Sequence, residues 1–337
     1  MGPMYALKKT NDAISRSFGA FYDFLVQVMD YIFAPIQFLF GVRAMPYAFV
    51  LPNLLIFGIF ILFPMILNFV YAFTGGGSFF PDQRPWVGTQ NFERLLTCQD
   101  YANPNTCQED LFWRAAYNTV GYVVFQVGGM VLLALITALI LNRNIKARGF
   151  FRSVFFYPVL LSPIVVSLIW KWILQENGLV NGVLTSLGYD KVPFLVNAQW
   201  AQFWVVMISI WAFMGFYTLI LLAGLQSIPA DLYEAASIDG ASAWQGFLNI
   251  TMPLLKPTMA VVLVLSLIRA VQVFDIVYVF TGGGPGTATL YLVQFIYNYG
   301  FASPNKQFGL AAAASLVMAS VLIVLTIFQL MARREEN

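Results

Sequence analysis

An all-α integral membrane protein with six transmembrane helices is the fold class this sequence predicts, and three observations predict it. Of its 337 residues, 59% are hydrophobic and only 10% are charged, where a soluble domain carries roughly 25% charged residues. Long uncharged stretches recur, each able to fill the roughly 30 Å hydrocarbon core that about 20 helical residues span. Lysine and arginine, finally, are unequally shared between alternate loops, as the orientation of polytopic proteins requires.

Composition also excludes functions. The chain has no histidine, which removes the commonest general base and metal ligand, so histidine-based triads and metal sites are ruled out. No metal site is expected. A net charge of +2, with no basic cluster interleaved with aromatic residues, speaks against a nucleic-acid partner. The first 17 residues are polar, so no cleavable signal peptide is expected.

The spans fall at about 46–71, 117–141, 153–174, 203–224, 257–280 and 309–331. The first lies between Arg43 and Asp82, and the second fills the uncharged run 115–142. The third contains Pro158 and Pro163 and reaches full length by carrying Lys171 and Trp172 into the interface. The fourth is the apolar part of the uncharged run 192–230; the fifth is apolar except for Arg269 and Asp275; the last occupies 307–332.

With an even number of spans both termini share a side. That side carries eleven Lys and Arg against six opposite, with Arg269 inside a span. The termini are therefore expected to be cytoplasmic. Residues 142–153 vote most sharply, with Arg143, Lys146, Arg148 and Arg152 and no acid. Ahead of the first span, Asp23, Gln27, Asp30 and Gln37 share one helical face while Phe21, Leu25, Val28, Ile32 and Phe33 lie elsewhere. That pattern predicts an amphipathic helix lying in the cytoplasmic interface. Residues 1–45 are accordingly an N-terminal region with this interfacial helix, and 46–335 the transmembrane domain. The outer loop, about 72–114, holds both cysteines, Cys98 and Cys107. An oxidising compartment allows them to pair; otherwise they are two free thiols.

The loop 225–256 is the most informative soluble segment. Gln226 to Gly240 reads as a short helix, with Ser227 as N-cap, Pro229 in the first turn and Gly240 as a left-handed stop. Ser242 and Gln245 form a capping box for a second helix ending near Met252-Pro253. By pattern alone the two make either an angled lever with an anionic tip or an ordinary linker with a glycine turn.

Glu234-Ala235-Ala236, Gly240 and then Ile250-Thr251-Met252-Pro253 resemble the EAA signature of membrane subunits of bacterial binding-protein-dependent ABC importers. Met252 stands where leucine is usual. Phe274-Asp275-Ile276-Val277-Tyr278-Val279-Phe280-Thr281-Gly282-Gly283-Gly284-Pro285 is similar to the end of the fifth span in the sugar branch, which serves maltose-like sugars and glycerol phosphate. The resemblance runs from about Pro46 onward. It implies a type I importer permease in the bacterial inner membrane, moving carbohydrate into the cytoplasm by alternating access. It also implies a second permease subunit, homologous but not identical, a dimer of ATPase subunits and a periplasmic solute-binding protein. On this resemblance Tyr233, Glu234, Ala235, Ala236, Asp239 and Gly240 form the coupling helix that docks in the ATPase. The chain lacks G-x-x-x-x-G-K-[ST], the loop that cradles ATP phosphates. ATP and Mg therefore belong to the partner, the chain binds no cofactor, and it is not an enzyme.

The resemblance places the substrate path on Ala212, Phe213 and Phe216 of the fourth span and Ser266, Arg269, Ala270 and Val273 of the fifth. An ionisable residue inside a span is a functional candidate because lipid disfavours it. Arg269, about halfway along, either donates hydrogen bonds to substrate or pairs structurally with Asp275 or a carbonyl. An anionic substrate, such as glycerol phosphate or a uronate-type sugar, is the alternative that Arg269 leaves open. An ion-driven secondary transporter and a membrane scaffold are the competing classes. Thr74–Gly77 and Thr281–Pro285 follow spans on the outer side and open no helix after a strand; flexible turns facing a binding protein are expected there, not phosphate loops.

Overall fold

The computed structural model describes residues 41–334, together with scattered positions between 19 and 38. The expected interfacial helix at 16–43 falls largely outside the described residues. The chain divides into two units, Met1–Asn68 and Phe69–Asn337.

Helix α1, Met45–Ala72, is the first span. It contains Pro52 and passes through a π turn at Gly58–Leu62. Proline removes a donor and blocks the bond to the carbonyl four residues back. The π turn re-registers the ladder ahead of Pro64, with the Phe63 amide reaching the Gly58 carbonyl.

The remaining helices are α2 (Gln90–Leu96), α3 (Asp110–Asn142), α4 (Arg148–Leu160), α5 (Pro163–Leu174), α6 (Leu179–Ser186), α7 (Ala198–Gln226), α8 (Ala230–Ile238), α9 (Ala243–Val271), α10 (Asp275–Phe280), α11 (Leu292–Tyr297) and α12 (Phe308–Arg334). Among the described residues five helices are long and apolar enough to cross a membrane, and the number is six if the bent pair at 148–186 counts as one span. Spans α3, α7 and α9 form the centre. Met130, Ala134, Ala138 and Leu141 of α3 meet Ile210, Tyr217, Leu221 and Leu225 of α7 and Leu255 and Val262 of α9.

Two expectations fail at prolines. The third span is not one helix: α4 and the segment from Pro163 are bent by 98°. Leu161 and Ser162 are extended, with ψ 143° and 135°, because a residue before proline is pushed out of the helical region. The fifth span does not begin at Pro257. Instead α9 runs unbroken from the capping box at Ser242 to Val271, absorbing Pro253 and Pro257 through a π turn at Phe247–Thr251. It also stops nine residues short of Phe280, breaking at Gln272–Phe274 before α10.

The outer loop is a built structure. Cys98 and Cys107 form a disulfide. Buried Glu109 takes Arg94 at 2.7 Å and the Tyr299 hydroxyl. Burial pushes the Tyr299 hydroxyl up, and Glu109 as its acceptor pushes the same way. Arg84 is buried and, among the described residues, pairs with no carboxylate. It donates to Thr74 Oγ1 (2.8 Å) and to the Ser78 carbonyl (2.7 Å), and lies over the Tyr71 ring. Burial lowers its pKa. The cystine closes a loop with a sequence separation of 9. Replacing both cysteines with serine is expected to cost this loop about 2–3 kcal/mol of loop-closure entropy. The check is faster cleavage of the 98–107 segment by added protease at unchanged membrane content.

The glycine turns are not loose. Gly75 donates to the Pro85 carbonyl and Val87 to that of Phe73, closing a small hairpin. The Thr281 and buried Thr289 hydroxyls bond at 2.7 Å, and Thr289 also donates to the Gly284 carbonyl. Gly282 and Gly283 have φ of 66° and 96°, which only glycine adopts freely.

Candidate functional site

The coupling candidate begins where α7 ends. Ser227 does not cap the next helix; its hydroxyl donates back to the Gly224 carbonyl at 2.8 Å. The N-cap is Pro229, whose extended backbone turns the chain into α8. The reason is again the proline: Ile228, which precedes it, is disfavoured in the helical region. α8 ends as expected. Gly240 has φ 77°, the Gly240 amide reaches the Ser237 carbonyl, and the Ala241 amide reaches that of Ala236. This double bond set is the Schellman stop. Both halves of the Ser242–Gln245 capping box are present.

Tyr233, Glu234, Ala235, Ala236, Asp239 and Gly240 thus sit on one short helix and its stop. No residue of α8 is buried. Ile238 is 87% exposed and Trp244 65% exposed, with Leu232 and Tyr233 also exposed on the same loop; a grouped apolar surface of this kind is a candidate contact surface. Neither Ile238 nor Trp244 was singled out from sequence, where both stand among other apolar residues of the loop such as Leu232, Ala235 and Ala236. The lever is braced. The Tyr233 hydroxyl bonds Thr251 Oγ1 at 2.9 Å, joining α8 to α9. At the root of the loop, the Gln226 side-chain amide lies against the guanidinium groups of Arg148 and Arg152, and with its oxygen turned towards them it accepts from both, at 2.9 and 2.8 Å. Two cations of the 142–153 loop therefore hold the end of α7. A recess of about 740 Å³ lies behind α8, between Tyr233, Ala236 and Ser237 on one side and Leu139, Asn142 and Arg143 on the other.

The second candidate is a cavity of about 100 Å³ where the third and fifth spans break. Pro163, Phe213, Arg269, Ala270, Gln272, Val273, Asp275, Tyr122, Gln126 and Ile276 line it. Arg269 is not midway along its helix but in the last turn of α9, beside the break. Its guanidinium sits over the Phe213 ring, 4.2 Å from the centroid. The Tyr217 hydroxyl is also its neighbour. No ion pair joins Arg269 to Asp275 among the described residues.

Of the residues expected on the path, Phe213, Arg269, Ala270 and Val273 converge here. Three do not. Ala212 and Ser266 are buried in the helix packing, with the Ser266 hydroxyl turned to the Leu263 carbonyl. Phe216, 36% exposed, lies edge-on to Tyr217 away from the cavity. Ile276 reaches the cavity from a separate helix, α10, because the ladder breaks at Gln272–Phe274. Tyr122, Gln126 and Pro163 were missed, since they come from helices remote in sequence.

The family described as binding-protein-dependent transport system inner membrane component matches residues 130–336. The chain belongs to this family. It is accordingly a membrane-embedded component of a transport system that works with a binding protein, and its relatives are permeases, not enzymes. It is 36% identical to the trehalose/maltose transport system permease protein MalF of Thermococcus litoralis, over 84% of this chain and 92% of that one. It is 34% identical to the arabinooligosaccharides transport system permease protein AraP of Bacillus subtilis, over 86% and 88% of the two chains. The fold matches a chain of a bacterial ABC transporter involved in import of the acidic polysaccharide alginate. The TM-score is 0.74 with 28% identity, covering 87% of this chain and 96% of that one. A second structure of an alginate ABC transporter, in complex with a pentasaccharide-bound periplasmic protein, matches with a TM-score of 0.69 and 26% identity, over 88% of this chain and 96% of that one. Family membership sets aside the ion-driven and scaffold readings.

Proposed function

We propose that this chain is one permease subunit of an ATP-driven ABC importer that brings carbohydrate into the cytoplasm. Relatives named for trehalose/maltose and for arabinooligosaccharides, and the likeness to the alginate transporter, support the substrate class. A second, homologous but non-identical permease chain, an ATPase dimer carrying ATP and Mg, and a periplasmic binding protein complete the machine. The termini and α8 face the cytoplasm, and the Cys98–Cys107 loop faces the periplasm. That orientation rests on the excess of Lys and Arg on the terminal side.

The observation that carries the coupling role is the exposed, braced α8. Glu234, Asp231 and Asp239 offer anions, and Ile238 and Trp244 offer apolar contact, to a cleft on the ATPase. A push on α8 reaches α9 through the Tyr233–Thr251 bond. From Thr251, where that bond enters, to Arg269 the helix has no break, and at 1.5 Å per residue it carries the displacement about 27 Å to the cavity. There the chain is jointed, at Ser162-Pro163 and at Gln272–Phe274, so the displacement becomes a change in cavity shape. Inside, Arg269 donates hydrogen bonds to sugar hydroxyls while Phe213 holds its guanidinium in place by a cation–π contact, worth about 0.5–2 kcal/mol.

The test is purification in mild detergent. The proposal expects a stable complex with a soluble ATPase whose hydrolysis rises when sugar-loaded binding protein is added; a chain that transports with no ATPase attached would overturn it. Arg269→Ala is expected to keep the assembled complex but to alter which saccharides are transported, measured by uptake into proteoliposomes. Loss of the complex in that variant would assign Arg269 a structural role instead.

A further inference from the structure

The connection at 142–153 carries more charge than its contacts use. It holds Arg143, Lys146, Arg148 and Arg152, and the chain has no acidic residue between Asp110 and Glu176. Among the described residues none of the four cations forms an ion pair. Arg143 and Lys146 are exposed, and Arg148 and Arg152 are half-buried. The last two stand one turn apart on α4 and meet the same neutral amide, that of Gln226. Like charges at that spacing oppose each other, and one amide oxygen leaves both uncompensated.

The connection is built, and it lies at the membrane surface. Span α3 ends at Asn142 and α4 starts at Arg148, so the short link between them cannot carry its cations far from the bilayer. Ile145, between Arg143 and Lys146, packs onto the core of α3, α7 and α9. Ala147 has φ 59°, the one positive φ outside glycine among the described residues, a conformation that the surroundings must enforce. No side chain caps α4, so its positive end adds to the field of the cations. Beside them Phe150, Phe151, Val154 and Tyr157 stand exposed on the same helix. Aromatic side chains suit the level of lipid headgroups, whereas an acidic protein surface in the cytosol would leave them in water.

We propose that Arg143, Lys146, Arg148 and Arg152 form a site for the phosphate headgroup of an anionic phospholipid, whose acyl chains lie along the exposed apolar face of α4. Basic clusters beside spans suit such headgroups, and planar guanidinium groups match phosphate oxygens in pairs. The phosphate supplies the counter-charge that Gln226 does not. The site goes beyond the importer reading and needs only that α3 spans the bilayer, so failure of that reading leaves it standing.

The purified chain, with the subunits that accompany it, is stripped of lipid in a nonionic detergent and its melting followed. It is titrated with dioleoyl phosphatidylglycerol, dioleoyl phosphatidylcholine or inorganic phosphate. Phosphatidylglycerol is expected to raise the melting temperature at concentrations where the other two do not. Each cation at an anionic lipid surface is worth roughly a fivefold factor in binding, so Arg143→Gln combined with Lys146→Gln is expected to weaken the response about 25-fold. Both side chains are exposed, so this variant is expected to fold; Lys146→Gln alone, expected at about fivefold, is the milder second variant. Lys191→Gln, an exposed cation outside the connection, is the control and is expected to respond as wild type. Equal response to the two lipids would overturn the proposal, as would wild-type affinity in the double variant. A matching response to inorganic phosphate would mean a free-anion site and overturn the lipid assignment. Loss of the accompanying subunits from the double variant at unchanged lipid response would give the cluster to a protein contact instead.

Discussion

Glu234→Lys is expected to leave the chain folded, in the membrane and at normal abundance while uptake falls at least about 100-fold, since like charges set against each other in an interface cost several kcal/mol. The two halves of that expectation have separate grounds. Glu234 is exposed on α8 and makes no ion pair among the described residues, so folding does not depend on its charge, and surface substitutions typically stay within about 0.5 kcal/mol. Its proposed role lies wholly in a contact with a cationic cleft on the ATPase. Reversing its charge turns attraction into repulsion at the point where the stroke is delivered. The comparison to make is binding-protein-stimulated ATPase activity against uptake in the same proteoliposomes. Wild-type transport by the variant would remove α8 from the coupling path. Ile238→Asp, on the same helix, is expected to weaken ATPase copurification, because its 87% exposed side chain is available for burial only in a partner.

Gly215→Ala is expected to destabilise the bundle by about 2–3 kcal/mol or more, the range for forcing extra atoms into a packed interior. A Cβ at Gly215 would sit 2.2 Å from the Phe155 carbonyl oxygen and 3.0 Å from Phe156 Cα. Both are backbone atoms beside the bend of the third span, so no side chain can rotate away. Alanine gains about 1 kcal/mol of helix propensity over glycine, and the steric term exceeds it. Gly128→Ala is the control: nothing lies within 4 Å of a Cβ there, so only the propensity gain remains. Unfolding of the two purified variants, followed against wild type, should move in opposite directions. A Gly215→Ala protein as stable as wild type would mean that α7 and the third span do not approach as closely as the structure has them.

What the sequence by itself determined are the features set by neighbours along the chain. A helix crosses a bilayer because its own residues satisfy its backbone and face lipid, so the uncharged runs located the long apolar helices α1, α3, α7 and α12, while the third and fifth departed from them at prolines and breaks. The Gly240 stop and the Ser242–Gln245 capping box use donors and acceptors only a few residues apart, and they formed as read. The EAA pattern placed α8 for the same reason. Where proline acts, local reading was less complete. Ser227 bonds back to Gly224 and leaves the cap to Pro229, and α9 is one helix where the sequence predicts two, because a π turn at Phe247–Thr251 re-registers the ladder and lets prolines stay inside it.

Only the tertiary structure decided which side chains share the cavity. Phe213, Arg269, Pro163 and Gln126 come from four different helices, and their meeting depends on close approaches such as that of Gly215 to Phe155. Phe216 and Ser266 sat on plausible helical faces and still turned elsewhere. Arg269 found an aromatic ring and not Asp275, because the break at Gln272–Phe274 separates the two onto different helices. The physical reason is general: hydrogen-bond ladders and caps are short-range, whereas a cavity is the space left after remote helices have packed, and that space is not written in any one of them.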